Sequence, residues 1–289
     1  MDIFISAITQ GLGYAGLGLG IYLTLKIFNI PDITTDGSYT LGGAVTAILL
    51  SSGYHPLLAI LAATLCGSIA GSMTGIIHTQ LKIHPLLAGI LVMTGLYSIN
   101  LLVMSRPNIP LININTIFSL LPFINVDGSG KLLVLLCITI FISGIIIWLL
   151  KTDFGIAMRA TGNSETMIRA LGVNTNSMKI KGLALANALT ALSGSLLVQY
   201  QGFADINMGI GIVISGLGAV MIGEALVKII SSKSIAVRVT GVIAGTIAFR
   251  VLLAVALSLG LQPNLLKLVT ALIVLVVVGT LQYSKKEKA

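Results

Sequence analysis

What most limits the folds open to this chain is the length of its uncharged stretches. Residues 3–25, 37–81, 83–105, 132–150, 182–204 and 206–223 contain no Asp, Glu, Lys or Arg. A helix that crosses a bilayer needs about 20 consecutive apolar residues. The run 37–81 is long enough for two passes, with a break at Ser51-Ser52-Gly53-Tyr54-His55-Pro56. Two further spans follow, near 235–259 (interrupted by Arg238 and Arg250) and 268–283. Charged residues make up 9% of the chain, whereas a soluble domain carries about 25%. A transmembrane barrel would alternate apolar and polar residues in short segments, which these runs do not. The expected fold class is therefore all-α: a polytopic membrane helix bundle of about nine spans, forming one transmembrane domain over residues 1–289. Two passes, near 39–50 and 208–224, are short and interrupted by glycine, and are expected to be broken or half-length helices lining a cavity.

The charges orient the bundle. With residues 162–172 in the cytoplasm, Lys26, Lys82, Lys151, Arg159, Arg169, Lys179, Lys181, Lys228, Lys233, Arg238 and the tail lysines 285, 286 and 288 all lie inside. Arg106, Lys131 and Lys267 lie outside. Positive residues favour the cytoplasmic side, so the N-terminus is expected outside and the C-terminus inside. The net charge of +8 is spread over loops and is read as topology, not as a nucleic-acid footprint. Asp2 is followed directly by apolar sequence without a basic stretch, so no cleaved signal peptide is expected. Cys66 and Cys137 suggest no disulfide framework, and His55, His78 and His84 no metal site. Asp127-Gly128-Ser129-Gly130-Lys131 faintly resembles a phosphate loop. It lacks the first glycine, and Leu132 replaces the magnesium-binding hydroxyl, so it is read as an external turn. No nucleophile–base pattern is present, so the chain is not expected to be an enzyme, to bind a metal or to carry a cofactor. The longest external loop, 106–131, is either a plain surface loop or a docking platform for an outside partner.

One polar island interrupts the apolar pattern, at Gly162-Asn163-Ser164-Glu165-Thr166-Met167-Ile168-Arg169-Ala170-Leu171-Gly172. Asn163 or Ser164 can cap a helix. Met167, Ile168 and Leu171 share its apolar face, Glu165 and Arg169 are spaced for an i,i+4 pair, and Gly172 can end it. This predicts a helix of about two turns outside the bilayer, able to fit a groove on a soluble partner. Glycines recur four apart at Gly16/Gly20, Gly67/Gly71/Gly75 and Gly241/Gly245, the spacing of close helix packing in lipid. That packing is expected within the chain, with a subunit interface as the alternative. Two segments echo each other, 32–45 and 205–220. Each runs from polar, carboxylate-bearing residues into glycine-rich sequence, which suggests an inverted repeat, chance similarity being the competing reading. Asp36, Asp205 and Glu224 stand at the edges of the short spans, where ionisable groups are costly and often functional. The plainer readings are solvated caps and, for Glu224, an i,i+4 pair with Lys228.

The island, together with its continuation Val173-Asn174-Thr175, resembles the cytoplasmic coupling segment of ABC importer permeases of the branched-chain amino acid/ribose type. Asp36-Gly37-Ser38 with Gly42, and Asp205, Asn207, Gly209, Gly211 and Met221-Ile222-Gly223, are similar to that family's two polar-then-glycine motifs. Glu224 departs from the family, standing where a second glycine is frequent, and the N-terminus is short. The resemblance implies a type II importer fold and a coupling segment at 152–178. It implies a second copy of the permease, cytoplasmic ATPase subunits that carry ATP and Mg, and an external substrate-binding lipoprotein. The short form resembles permeases linked to aromatic amino acids. The residues expected along the translocation path are Asp36, Ser38, Tyr39, Met93, Tyr97, Asn100, Tyr200, Phe203, Met208, Ser215, Met221 and Glu224. Their mixture of aromatic, thioether and hydroxyl groups suits a moderately apolar amino acid. The alternatives are a permease for a sugar or nucleoside, and a self-contained secondary transporter. The latter would need mid-span carboxylates for ion coupling, and the sequence places none securely there.

Overall fold

A computed structural model describes residues 2–120, 128–230, 234–262 and 265–286. Twelve α-helices account for most of them. The first span is α1 (Asp2–Gly13) continued by α2 (Ala15–Tyr22) and a π-helical turn (Leu23–Ile27), with a bend of 42° at the break. Then come α3 (Thr34–Ser51), α4 (Pro56–Gln80), α5 (Pro85–Met104), α6 (Gly128–Lys151), α7 (Asp153–Asn163), α8 (Glu165–Ala170) and α9 (Thr175–Gln201). The chain continues with α10 (Ile212–Ile230), α11 (Ile235–Ser258) and α12 (Leu266–Lys286). Among the described residues, five helices are long and apolar enough to span a membrane, and the bent first pair makes a sixth. The three remaining passes correspond to α3, α10 and α12.

The starts of α3 and α6 differ from the sequence expectation. The second pass does not start at Tyr39: α3 begins at Thr34 and takes in Thr35 and Asp36. These polar groups are satisfied inside the bundle, Thr34 by Thr74 at 2.7 Å and Thr35 by the Asp32 carbonyl, so they need no water and the helix extends over them. Gly128–Lys131, read as part of an external turn, opens α6 instead. Asp127, like Leu121 to Val126 of the external loop, lies outside the described residues, as do Lys233 and Lys288.

Helix α9 is the axis of the bundle. Of its most apolar membrane-length stretch, 78% is buried, and glycines of three other helices press on it. A Cβ at Gly67 or Gly71 of α4 would strike the backbone carbonyls of Asn187 or Leu183, and one at Gly75 would meet Ile180. Gly16 and Gly20 of α2 would meet the carbonyls of Leu189 and Ala186, and Gly42 of α3 that of Ala191. Gly241 and Gly245 of α11 meet Val227 and Ala219 of α10. The glycine stripes therefore pack within this chain, where side-chain-free contacts let dispersion replace the water expulsion that lipid cannot supply.

The two ends of α9 differ. At one end Asn174 caps it, its side chain accepting from the Ser177 N–H at 3.0 Å. At the other, Gly202 turns in the left-handed region, φ +79°, into β2 (Phe203–Asp205). β2 pairs antiparallel with β1 (Asn108–Pro110), so the loops after α5 and α9 form one face. Twenty-seven helical residues separate that face from α7 and α8, about 40 Å at 1.5 Å per residue.

Candidate translocation cavity and coupling face

The first cavity forms where the two echoing segments meet. Asp36, in the first turn of α3, accepts the backbone N–H of Gly211 at 2.8 Å and of Val213 at 2.9 Å through its two carboxylate oxygens. A carboxylate at the N-terminus of α10 satisfies orphan donors and complements the helix dipole. Gly209 sits tight against the Asp36 carbonyl and Thr40 hydroxyl, and Gly43 against Met208. Beside this junction lies a cavity of about 370 Å³, within the roughly 300–1,000 Å³ range of small-solute sites. Asp36, Met93, Tyr97, Asn100, Ile206 and Ile210 border it, with the hydroxyl-bearing residues Thr40, Thr94 and Ser98. Asn100 is buried and donates from Nδ2 to the Gly37 carbonyl at 3.2 Å, while its Oδ1 has no partner. A second cavity of about 230 Å³ lies on the other side of Ile210, bordered by Gly211, Ser215, Lys267 and Thr270.

The remaining path residues named from sequence lie elsewhere. Ser38 is wholly buried in α3 with its hydroxyl unpartnered. Tyr39 is buried in the main core and stacks on Tyr14 with ring centroids 5.9 Å apart. Tyr200 meets Phe118 edge-on and lies under Lys131, 5.6 Å from its ring centre, near the β-sheet face. Phe203 is 42% exposed on β2. Met208 packs against the core, and Met221 is half-buried on α10. Glu224 reaches across to Lys26 at the end of the first span, 2.7 Å away. Asp205 accepts from the Asn108 side chain at 3.3 Å across the sheet and from the Asn207 N–H at 2.8 Å.

Sequence reasoning missed two groupings, because each depends on a partner distant in sequence. Asp32 is fully enclosed, its carboxylate accepting from the Thr34 N–H at 2.9 Å and Asn187 Nδ2 at 2.7 Å. Arg250 stands over the Tyr14 ring, 3.5 Å from its centre, a cation–π contact that shelters a charge within a span.

At the opposite end, the polar island forms two helices rather than one. Asn163 closes α7, and Ser164 caps α8, accepting from the Met167 N–H at 3.4 Å. The helix spans six residues, Glu165–Ala170, and Gly172 ends it at φ +84°. Gly162 lies so close to the Ile27 carbonyl that no side chain would fit, which fastens α7 to the end of the first span. Glu165 fastens α8 to α9. Its Oε2 accepts from Lys179 Nζ at 2.6 Å, and its Oε1 from Arg169 at 2.7 Å and from the Thr175 hydroxyl at 3.1 Å. Arg169 in turn donates to Thr175 at 2.7 Å and to Asn176 at 3.1 Å. The Lys179 ammonium, with help from Thr175 and Arg169, pulls the Glu165 carboxyl below the usual range, partly opposed by burial. Met167 and Leu171 are left 67% and 68% exposed, apolar groups on a rigidly held helix, and Ile168 is half-buried.

A membrane bundle with a small-solute cavity and a braced helical platform belongs to the class of transporter membrane subunits. A solved ABC transporter of the metal-chelate type, in an inward-facing conformation, has the same fold: the TM-score is 0.54 at 15% identity, over 98% of this chain and 85% of that one. The chain belongs to the family described as "Branched-chain amino acid transport system / permease component", which matches residues 3–279. It is the permease subunit of an ABC-type transport system. The tyrosine transport system permease protein of Clostridioides difficile is 41% identical over 281 residues, 97% of this chain and 92% of that one. An uncharacterised protein of Rickettsia prowazekii is 35% identical over 96% of both chains. The autoinducer 2 import system permease protein LsrC of Escherichia coli is 27% identical over 72% of this chain and 59% of its own.

Proposed function

We propose that this permease carries an amino acid, of the aromatic class, inward across the bacterial plasma membrane. Energy comes from ATP and Mg bound on separate cytoplasmic ATPase subunits. The carrying observation is the cavity at the α3–α10 junction, whose wall sets Tyr97 and Met93 beside the polar groups of Asp36 and Asn100. Such a wall suits a solute with one polar and one aromatic end. The 41% identity to a tyrosine transport permease supports the same substrate class. In this reading the N-terminus is outside and the C-terminus inside. The β1–β2 face receives a substrate-binding lipoprotein, the α7–α8 face receives the ATPase, and two copies of the chain form the pore. The Lys and Arg clustering around 151–181 supports that orientation.

The test is reconstitution of the permease with its ATPase and binding protein in proteoliposomes. ATP-dependent accumulation of labelled tyrosine or phenylalanine, abolished without ATP, is the expected result. Accumulation of a sugar or nucleoside instead, or uptake driven by an ion gradient without ATP, would replace this reading.

A further inference from the structure

We infer that the permease itself selects for a protonated amine, through an acceptor-lined pole of the α3–α10 cavity formed by Asp36 and Asn100. The inference rests on the amino-acid reading above and adds a selective site on this chain to whatever an external binding protein contributes.

The argument begins with Asn100. Its side-chain nitrogen donates to the Gly37 carbonyl at 3.2 Å. That partner can only accept, so the amide cannot be reversed without setting two acceptors face to face. The amide oxygen is thereby left as the unpaired atom, in a residue 1% exposed. A buried acceptor without a donor costs about as much as a lost hydrogen bond, and a bound donor would recover that cost. Asn100 and Asp36 border the same cavity. Each Asp36 oxygen accepts one backbone N–H, and each keeps a second acceptor site. The backbone bonds hold that carboxylate in place, so it is pre-organised and does not need to be ordered on binding. An ammonium supplies three donors and one positive charge, matching the free acceptor sites of a fixed carboxylate, with the residue that holds the orphan amide oxygen in the same wall. Lys267, which borders the second cavity beyond Ile210, acts on Asp36 as a charge but is not in the wall of this cavity, so among the described residues no cation lines the pole. Tyr97, 48% exposed, and Met93 line the rest and can take an apolar or aromatic end.

The test uses the permease–ATPase complex in nanodiscs without binding protein, with labelled tyramine as the probe. Unlabelled tyrosine and 3-(4-hydroxyphenyl)propionate, which lacks the amine, serve as competitors. Tyrosine should displace tyramine and the deaminated acid should not. Asn100→Leu should weaken tyramine binding about tenfold, the value of a hydrogen bond to a charged group. Tyr97→Leu should weaken tyramine binding while tyrosine still competes and the deaminated acid still does not, separating ring contact from amine selection. Absence of tyramine binding to the wild type, or equal competition by the deaminated acid, would overturn the inference without recourse to any variant. Uptake by the full transporter reports separately on the amino-acid reading: tyrosine import together with indifference to the amine leaves the function standing and removes this site.

Discussion

Truncating Met167 and Leu171 to Ala should weaken docking of the ATPase by an amount the structure lets us work out. The two residues expose 67% and 68% of their surface although α8 is capped at Ser164 and braced to α9. Full burial of a Met or Leu side chain is worth about 1.5–3 kcal/mol. Two-thirds of that remains to be gained in a complex, about 1–2 kcal/mol for each residue and about 2–4 kcal/mol for the pair. Every 1.4 kcal/mol is about tenfold in affinity, so the double Ala variant should bind the ATPase roughly 30- to 1,000-fold more weakly. Ala is the best helix former and neither side chain makes a brace contact, so α8 itself should survive. The Asp pair should abolish docking and uptake together, because a carboxylate would have to enter an apolar groove. The assay is titration of purified ATPase onto nanodisc-embedded permease, with circular dichroism and membrane insertion as controls. An unchanged dissociation constant for the double Ala variant, or full ATPase occupancy of the Asp pair with undiminished transport, would refute the assignment of α8 as the docking helix.

Three further outcomes follow from particular contacts. Glu165→Gln should loosen α8 from α9, raising the mobility of a spin label at Thr166 while leaving the bundle intact. In the wild type the Glu165 pKa is depressed from an ordinary value of 4.5, so the brace is complete above that value. It should be lost only as pH falls through the lower folded-state value, leaving label mobility unchanged from pH 8 to about 5. Asp36→Ala should unpair the Gly211 and Val213 N–H groups, at about 1–3 kcal/mol each, and lower the thermal midpoint of the purified protein; Asp36→Asn, which keeps one acceptor, should lower it less. Gly71→Leu should block accumulation in the membrane because its Cβ would already strike the Leu183 carbonyl, whereas a Cβ at Gly95 on α5 meets no atom within 4 Å, so Gly95→Leu should accumulate normally, as judged by immunoblot of membranes.

The passes were legible because lipid imposes one requirement on every one of them: backbone groups satisfied within the helix and an apolar exterior. The glycine stripes were legible for a related reason, since helices associate in lipid through small residues at fixed spacing. The start of α3 was not legible. Thr34, Thr35 and Asp36 read as an interfacial cap only if water satisfies them, and the partners that do so instead, Thr74 and the backbone of α10, come from distant parts of the sequence. The same holds for the contact of Glu224 with Lys26, which joins residues 198 positions apart and which local spacing does not announce. Asn100 could be named as polar within an apolar run. That its oxygen would be the orphaned atom depends on the Gly37 carbonyl, which only the fold places there. In the island, the choice between Asn163 and Ser164 as cap turned on where α7 ends, and both residues are good caps.

Helix α9 links the two faces physically. Its first five residues include Thr175, Asn176 and Lys179, the groups that hold Glu165 and Arg169 of α8. Its middle receives the glycines of α2, α3 and α4 at backbone-contact distance. Its far end turns into the strand that pairs with β1. Interiors packed at this closeness resist continuous deformation, so a displacement applied at α8 must either break the Glu165 brace or move α9 as a body. Moving α9 carries α3 with it, through Gly42 on the Ala191 carbonyl and the 2.7 Å hydrogen bond from Thr46 to Ser195. α3 holds Asp36, and Asp36 holds the start of α10, so the cavity wall is the last link in a chain of direct contacts from α8. A brace-breaking substitution such as Glu165→Gln should therefore leave ATP hydrolysis by the docked ATPase nearly intact while uptake falls. Equal loss of both activities would mean that α8 acts on the ATPase alone and that α9 does not carry the stroke.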